Sequence, residues 1–205
     1  MRTVRFLCVF VACLAMAVPV TSAHGAEPES HSRFLTGQFL VAARKMPDPR
    51  FGKTVVLITE HDTTGAMGFV INKIFGEGPL STFLNGFGIK GGSSEETIGL
   101  HYGGPVEIGL AAVLHGTDYS DSSTKRISKN LAWSSHRDVF EAIAAGKGPK
   151  KRVFILGYSG WAAGQLESEL AREDWLTAPA DAELIFDKDF DTLWGRILAK
   201  AGIKL

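Results

Sequence analysis

The sequence predicts a single domain with an α+β fold, and three observations support that class. Apolar, β-branched runs typical of buried strands dominate the early part of the chain after residue 30. Segments with the apolar spacing of helices follow, and further short strands are mixed among them. No repeat and no interior linker divides the chain, whose 205 residues suit one domain.

The first 23 residues have the three-part organisation of a secretory signal peptide. Arg2 and Arg5 precede an uncharged run at Phe6–Val20, and Thr21-Ser22-Ala23 offers small residues for cleavage. The run is shorter than the roughly 20 residues that span a bilayer. We therefore expect a periplasmic or secreted protein that meets the membrane only transiently, during export. The alternative is a start at Met16, which leaves a cytosolic protein.

Composition excludes several classes of function for the mature chain. Both cysteines, Cys8 and Cys13, lie in the signal peptide, so a chain cleaved after Ala23 has no disulfide, thiolate metal site or cysteine nucleophile. Removal of Arg2 and Arg5 leaves 22 − 2 = 20 basic residues against 22 acidic ones. This balance argues against nucleic-acid binding, which needs a clustered positive surface.

The elements of the first half follow from apolar runs and turn residues. Residues 24–33 are polar and predict a flexible lead-in to a domain at residues 34–205. Turn chemistry at Glu60–Gly65 predicts that the strands on either side of it pair as a hairpin. A helix is expected at Leu80–Phe87, followed by a long loop at Gly86–Glu96. Strands are predicted at Gly37–Ala43, Thr54–Thr59 and Ala66–Asn72.

The second half mixes strands and helices. Ser135 is expected to accept the amide proton of Asp138 in a capping-box-like helix start, and Glu169 to form a surface pair with Arg172. Trp161, Trp175 and Trp194 are expected to pack in the core. Further strands are predicted at Leu110–His115, Ile127–Trp133, Val153–Leu156 and Glu183–Phe186. Helices are predicted from Ser135 to about Gly146, at Ala162–Trp175 and at Thr192–Ala201.

Motifs of known enzyme classes are incomplete. Gly157–Trp161 lies where a nucleophile elbow would be, but Trp161 occupies a position that must be glycine in that motif. No histidine follows His136, so a triad in the order Ser, acid, His cannot form. Glu60-His61-Asp62 is dense in metal ligands, yet neighbouring residues of a strand point to opposite faces. The sequence thus predicts neither a serine hydrolase nor a metal site.

Several motifs follow one another in fixed order, and the most specific is Gly157–Leu170, read GYSGWAAGQLESEL. Together, over residues 34–203, these motifs resemble one bacterial family, the AlgH/YqgE family. The resemblance implies an α+β fold with a bifurcated, partly barrel-like sheet, mostly antiparallel, surrounded by helices. It implies no established activity, and most relatives lack an export signal. The other matching segments are Gly37–Ala42, Asp48–Phe51, Glu60-His61, Gly65–Asn72, Gly103–Val106, Val113–His115 and Trp175-Leu176.

We therefore predict a non-enzymatic binding or regulatory domain that acts after export, uses no cofactor and binds an unknown small molecule or protein. Residues at strand ends and turns are the candidates, because sites concentrate there. The hypothesis predicts that they converge in one cleft; the alternative is that the glycines serve tight turns and that Gln165 and Glu167 cap a helix. The candidate residues are Glu60, His61, Asn72, Gly103, Gly104, Pro105, Trp161 and Gln165.

Two other functions stay open. An unrecognised hydrolase would use His61 or His115 as its base, within hydrogen-bonding reach of a hydroxyl or carboxylate in a pocket. A cytosolic transcriptional regulator would require Met16 as the start of the chain.

Overall fold

A computed structural model describes residues 34–90 and 96–201. The predicted signal peptide and lead-in at residues 1–33 lie outside the described residues, as do residues 91–95 of the predicted loop and residues 202–205.

Strands and helices alternate along the described chain. A short 3-10 turn at Pro49–Phe51 separates the first two strands. The strands are β1 Gln38–Ala42, β2 Val55–Asp62, β3 Gly65–Val70, β4 Ile74–Pro79, β5 Thr97–Tyr102, β6 Val106–Gly116, β7 Lys125–Arg126, β8 Leu131–Ser134, β9 Arg152–Ala162 and β10 Trp175–Pro179. The helices are α1 Leu80–Gly86, α2 Arg137–Ala144, α3 Gln165–Ala171, α4 Ala182–Ile185 and α5 Leu193–Lys200.

The strands form one curled, half-barrel sheet that is mostly antiparallel, which confirms the α+β prediction. Its order is β10-β1-β2-β3-β9-β6-β8-β7, and β4 and β5 form a branch on β9. The predicted hairpin is confirmed, since β2 pairs antiparallel with β3. Among the strands of the described residues, β5 and β9 are the one pair that runs in parallel.

Strand β9 is the point at which the sheet divides. Along one edge, its first half pairs with β5 through Phe154–Leu156, and its second half pairs with β3 through Ser159–Ala162. Its other edge pairs with β6. The segment between the two halves contains Gly157, whose φ is +69°. We call this division of one edge between two partner strands the fork.

The chain after β5 fills the fork. The Gly103 amide donates to the Leu156 carbonyl, and the Gly103 carbonyl accepts the Val70 amide at 2.8 Å. The Ser159 hydroxyl donates to the same carbonyl at 3.2 Å. A β-carbon on Gly103 would overlap the Gly157 carbonyl. Glycine is therefore required at 103 by backbone crowding, whatever else the residue does.

Apolar side chains pack on both faces of the sheet. One cluster lies between β1, β2, β3 and β9 on one side and the last two helices on the other, and it includes Phe39, Phe69 and Leu193. A second cluster joins β6 and β9 to α1 and α2 and includes Leu84 and Phe140. The third lies beneath α3 and involves Leu40, Ile58, Leu166, Trp161 and Trp175. This third cluster supports the cleft described below.

Several predicted elements need correction. The strand that begins at Arg152 continues through Trp161, because its last residues pair with β3, so no elbow forms at Gly157–Trp161. The helix predicted at Ala162–Trp175 comprises only Gln165–Ala171, because Trp175 pairs with Ala42 at the start of β10. Glu183–Phe186 is not a strand: the Asp181 side chain accepts the Glu183 amide proton and caps α4.

Other differences concern strand ends and a helix cap. Strand β8 begins only at Leu131, because the amides of Ile127 and Ser128 both donate to the Leu131 carbonyl in a turn. Strands β4 and β5 were not expected. Ser135 does not cap α2; His136 occupies the N-cap position and makes no capping hydrogen bond through its side chain.

Candidate functional site

A cleft of about 360 Å³ lies over the third apolar cluster. Its walls come from the segment around the 3-10 turn, the end of β9, helix α3 and the residues that lead into β10. We call it the Trp161 cleft. The residues that matter most for its chemistry are Asp48, Arg50, Trp161, Glu169, Arg172 and Asp174.

Glu169 is the most constrained polar group in this cleft. Its Oε2 accepts hydrogen bonds from the indole N–H groups of Trp161 and Trp175, both at 2.8 Å. Its Oε1 accepts from the Gln165 amide at 2.9 Å. Glu169 is partly exposed although three donors hold it. A carboxylate offers about four lone-pair sites, so these bonds fix its position and leave capacity for another donor.

The local sequence explains this arrangement. Gly164, with φ +75°, turns the chain from β9 into α3. Gln165 and Glu169 are four residues apart on the helix and therefore lie on one face. The Gln165 side-chain oxygen also accepts the Ala162 amide at 3.1 Å, which ties the helix start to the strand end. Trp175 reaches the same carboxylate from the start of β10.

The tryptophans act as packing residues, as predicted. Trp161 is 7% exposed and Trp175 is 3% exposed. Their rings meet edge to face, with centroids 6.1 Å apart, and Phe51 packs on Trp175 at 5.6 Å. Trp194 donates its indole N–H to the Ala42 carbonyl. The indole rings of Trp161 and Trp175 thus line the cleft, and their N–H groups hold its carboxylate.

Two arginine–aspartate pairs border the cleft. Arg50 binds both carboxylate oxygens of Asp48, and these side-chain hydrogen bonds lower the pKa of Asp48. Arg172 binds Asp174 at 2.8 Å, so the predicted pair between Glu169 and Arg172 does not form. Each arginine uses Nε and Nη2, and Nη1 of each has no partner among the described residues. The cleft thus presents charges of both signs.

The structure brings three of the eight candidate residues together: Pro105, Trp161 and Gln165 line the Trp161 cleft. Gly103 and Gly104 lie behind it in the fork, where a β-carbon at 104 would overlap the backbone at Tyr158.

The other three candidates lie outside the cleft. Asn72 joins strands, since its Oδ1 accepts the Val55 amide at 2.8 Å and its Nδ2 donates to the Lys53 carbonyl. Glu60 pairs with Lys125 at 2.6 Å. His61 lies on the other face of β2 from Glu60, as strand alternation predicts, and its Nε2 is 3.1 Å from Glu167 of α3. Convergence of the candidate set is therefore partial.

The two histidines considered as bases have structural partners. His61 accepts the Leu35 amide at Nδ1, and its Nε2 lies 3.1 Å from Glu167. His115 Nε2 lies 3.2 Å from the Ser134 hydroxyl, but both residues are fully buried, so a substrate has no access to the pair. Ser159 is 1% exposed and donates to the Gly103 carbonyl.

Sequence reasoning missed the charged residues of the cleft. Asp48 and Arg50 come from one stretch of the chain and Glu169, Arg172 and Asp174 from another, more than 100 residues later, and no local pattern joins the two. The only local signal was the i, i+4 spacing of Gln165 and Glu169. Within the described part of the chain, no group of three or more His, Cys, Asp or Glu is placed to hold a metal ion. No helix among these residues is long and apolar enough to cross a membrane.

The fold defines a class, that of α+β proteins built on a curled, mostly antiparallel half-barrel sheet. The sequence profile of the AlgH-like family matches residues 39–205. This chain belongs to that family, which confirms the resemblance noted in the sequence.

Relatives of known sequence and structure agree with this assignment. A UPF0301 protein of Methylococcus capsulatus is 46% identical over 178 residues, covering 87% of this chain and 97% of the relative. A UPF0301 protein of Rhizobium etli is 43% identical, covering 83% and 88%. The solution structure of the AlgH protein from Pseudomonas aeruginosa matches with a TM-score of 0.75 and 38% identity, over 87% of this chain and 94% of that one. A Corynebacterium diphtheriae protein shares the fold, with a TM-score of 0.65 at 21% identity over 81% and 86% of the two chains.

Proposed function

We propose that this protein is a non-enzymatic binding domain and that the Trp161 cleft is its ligand site. One observation carries the proposal: Glu169 is partly exposed in a cleft while three side-chain N–H donors fix its position. A polar group held in this way before a ligand arrives loses little freedom on binding. Helix packing alone would not require a carboxylate with spare acceptor capacity at this place.

The charges of the cleft favour a small zwitterionic ligand. Glu169 can accept one more N–H donor, and the unpaired Nη1 groups of Arg50 and Arg172 can donate to a carboxylate. Phe51 and Met46 also line the cleft and supply apolar surface. An α-amino acid with an apolar side chain matches this combination of an ammonium, a carboxylate and an apolar body. A volume of about 360 Å³ lies within the range of small-molecule sites.

Titration with L-leucine tests the proposal, with N-acetyl-L-leucine and L-leucinamide as probes that each lack one charge. We expect L-leucine to bind most tightly and to shift the indole N–H resonances of Trp161 and Trp175, because Glu169 contacts both groups. Calorimetry gives the affinities, and NMR identifies the cleft. The proposal fails if L-leucine does not bind at millimolar concentration, or if the indole resonances do not move.

Two variants separate the carboxylate from general charge effects. Glu169→Gln removes the charge in the cleft and should weaken L-leucine binding by about tenfold or more, in line with loss of a charge-assisted hydrogen bond. Glu173→Gln removes a charge four residues later, from an exposed side chain paired with Lys45. It should bind L-leucine as the unchanged protein does. Equal affinities for both variants would contradict the role given to Glu169.

We also propose that the domain acts after export, on the basis of the sequence at residues 1–23. N-terminal sequencing of protein purified from fractionated cells should find a chain that begins at His24 in the periplasmic or secreted fraction. A chain that begins at Met16 in the cytosol would instead favour the regulatory alternative.

A further inference from the structure

A second cleft, of about 460 Å³, lies between strand β5 and the segment that joins α4 to α5. Thr97, Gly99 and His101 alternate along β5 and therefore share one face of the strand. Phe186 and Phe190 line the cleft from the joining segment. We call it the His101 cleft. No residue that lines it also lines the Trp161 cleft.

His101 brings an unused hydrogen-bond acceptor to this cleft. The residue is 3% exposed, and its Nδ1 lies 2.8 Å from the Ile71 carbonyl. A carbonyl only accepts, so Nδ1 carries the proton and Nε2 of the neutral ring carries a lone pair. Burial lowers the pKa of His101, which keeps the ring neutral at pH 7. Nε2 has no hydrogen-bond partner among residues 34–90 and 96–201, so its lone pair is available to a ligand in the cleft.

Gly99 keeps the space beside this nitrogen open. A β-carbon at position 99 would lie 3.8 Å from Nε2 of His101 and 4.0 Å from Cδ1 of Ile74, which are ordinary contacts. Neither a positive φ nor backbone crowding requires glycine here, in contrast to Gly103. Glycine weakens a strand interior and often marks the close approach of a ligand. The missing side chain therefore leaves room next to the unpaired acceptor.

The walls of the cleft favour an uncharged, aromatic ligand. The Phe190 ring meets the His101 ring edge to face, with centroids 4.5 Å apart, and Phe154 and Phe186 add apolar surface. The guanidinium of Arg152 is neutralised by Glu96 at 2.5 Å. The remaining charges, on Lys188 and Glu77, are of opposite sign. Nothing in this lining calls for a net charge on the ligand.

We propose that the His101 cleft binds a small, uncharged molecule with an aromatic body and one hydroxyl or N–H group, which donates its hydrogen to Nε2 of His101. The site is distinct from the Trp161 cleft, and neither proposal depends on the other. A phenol has the required chemistry, because its ring can pack among the phenylalanines while its hydroxyl donates to the imidazole.

A matched pair of probes tests the hydrogen bond. The protein is titrated with 4-methylphenol and with 4-methylanisole, which has nearly the same shape but no donor. We expect the phenol to bind about tenfold more tightly, because the methyl ether has no hydrogen to donate to Nε2 of His101. The ¹⁵N resonance of His101 Nε2 should shift with the phenol and not with the ether. Equal affinities, or an unchanged Nε2 resonance, would overturn the proposal.

Two glycine variants test the location. Gly99→Val fills the cleft with a residue that suits a strand, so it should remain folded and lose binding of 4-methylphenol at least tenfold. Gly78→Val is the control, because a β-carbon at position 78 meets nothing within 4 Å. Gly78 pairs across the strands with Ile98, the residue before Gly99 in β5. A side chain at position 78 therefore points to the face of the sheet opposite to that of Gly99. The control variant should bind as the unchanged protein does. Undiminished binding by Gly99→Val shows that the phenol binds elsewhere and that the proposal is wrong.

Discussion

Gly104 lies at a position where the fork leaves no room for a side chain. Its φ is +150°, and a β-carbon would overlap the backbone of Tyr158 and Ser159. We expect Gly104→Ala to lower the free energy of unfolding by about 3 kcal/mol or more, through combined strain and crowding. Gly109→Ala is the control, because a β-carbon there meets nothing within 4 Å; it should change stability by less than about 0.5 kcal/mol. Urea unfolding of both variants measures the difference, and similar values would refute the crowding argument.

Two buried histidines should make stability depend on pH. Burial lowers the pKa of His101 and of His115, although Asp121 and Asp118 partly oppose the effect at His115. The unfolded chain then binds protons at a higher pH than the folded chain does. The contribution of the two neutral histidines to the free energy of unfolding is therefore fully present above about pH 6.5, the pKa of histidine in the unfolded chain. This contribution is lost as the pH falls below that value toward the pKa values of the folded protein.

Urea unfolding at pH 7.5, 6.5 and 5.5 measures this dependence, above the range in which most carboxylates titrate. Constant or rising stability between pH 7.5 and 5.5 would contradict the expectation.

At the residue scale, the sequence predicted the burial and orientation of single residues better than it predicted contacts between residues distant in the chain. Burial of the tryptophans and the opposite faces of Glu60 and His61 followed from local spacing. The contact of Glu169 with Trp161 and Trp175 did not, because it depends on β9 and β10 reaching α3 from different parts of the chain.

At the scale of single elements, helix α2 begins without an effective cap. His136 has the extended backbone of an N-cap residue, with φ −78° and ψ 157°, but its side chain makes no capping bond. His136→Asn should raise the free energy of unfolding by about 0.5–1 kcal/mol, because asparagine can accept an amide proton of the first turn. Thermal or urea unfolding measures the gain. His136→Ala separates capping from loss of the imidazole, and an equal gain in that variant would exclude capping as the cause.

Prediction of helices and strands from the sequence succeeded where apolar periodicity was strong. It failed where hydrogen bonding between strands determined the local structure. Helices α1, α2 and α5 were expected close to their observed positions. The glycines at 76, 78 and 99 hid β4 and β5, which form because each supplies the other's hydrogen bonds. Trp175 fits the apolar spacing of a helix, but pairing with β1 draws it into a strand.

Across the whole molecule, protection of the backbone should follow distance from the sheet edges. Strand β9 pairs on both edges, with β6 on one and with β5 and β3 on the other, whereas β4 has β5 as its single partner within the part of the chain that the structure describes. We expect the β9 amides at Phe154–Leu156 to exchange slowest, and those of the edge strands β4 and β7 to exchange much faster. Hydrogen exchange followed by NMR measures both rates. Equal protection of β4 and β9 would mean that the sheet opens only as one unit.

The fork itself could not be predicted from periodicity. Alternation identifies a strand and its faces, but not which of several strands it joins or where one edge changes partner. The family resemblance implied a bifurcated sheet, and the pairing of β9 shows the residues at which the division occurs.

The position of β9 in the chain also bears on the order in which the protein can be assembled. Translation delivers β3, β5 and β6 before β9, which begins at residue 152 of 205. A growing polypeptide therefore lacks the common partner of these strands until most of it has left the ribosome. If the N-terminal segment directs export as proposed, this late closure leaves the chain unfolded, and so fit for threading through a translocation channel, during most of its synthesis.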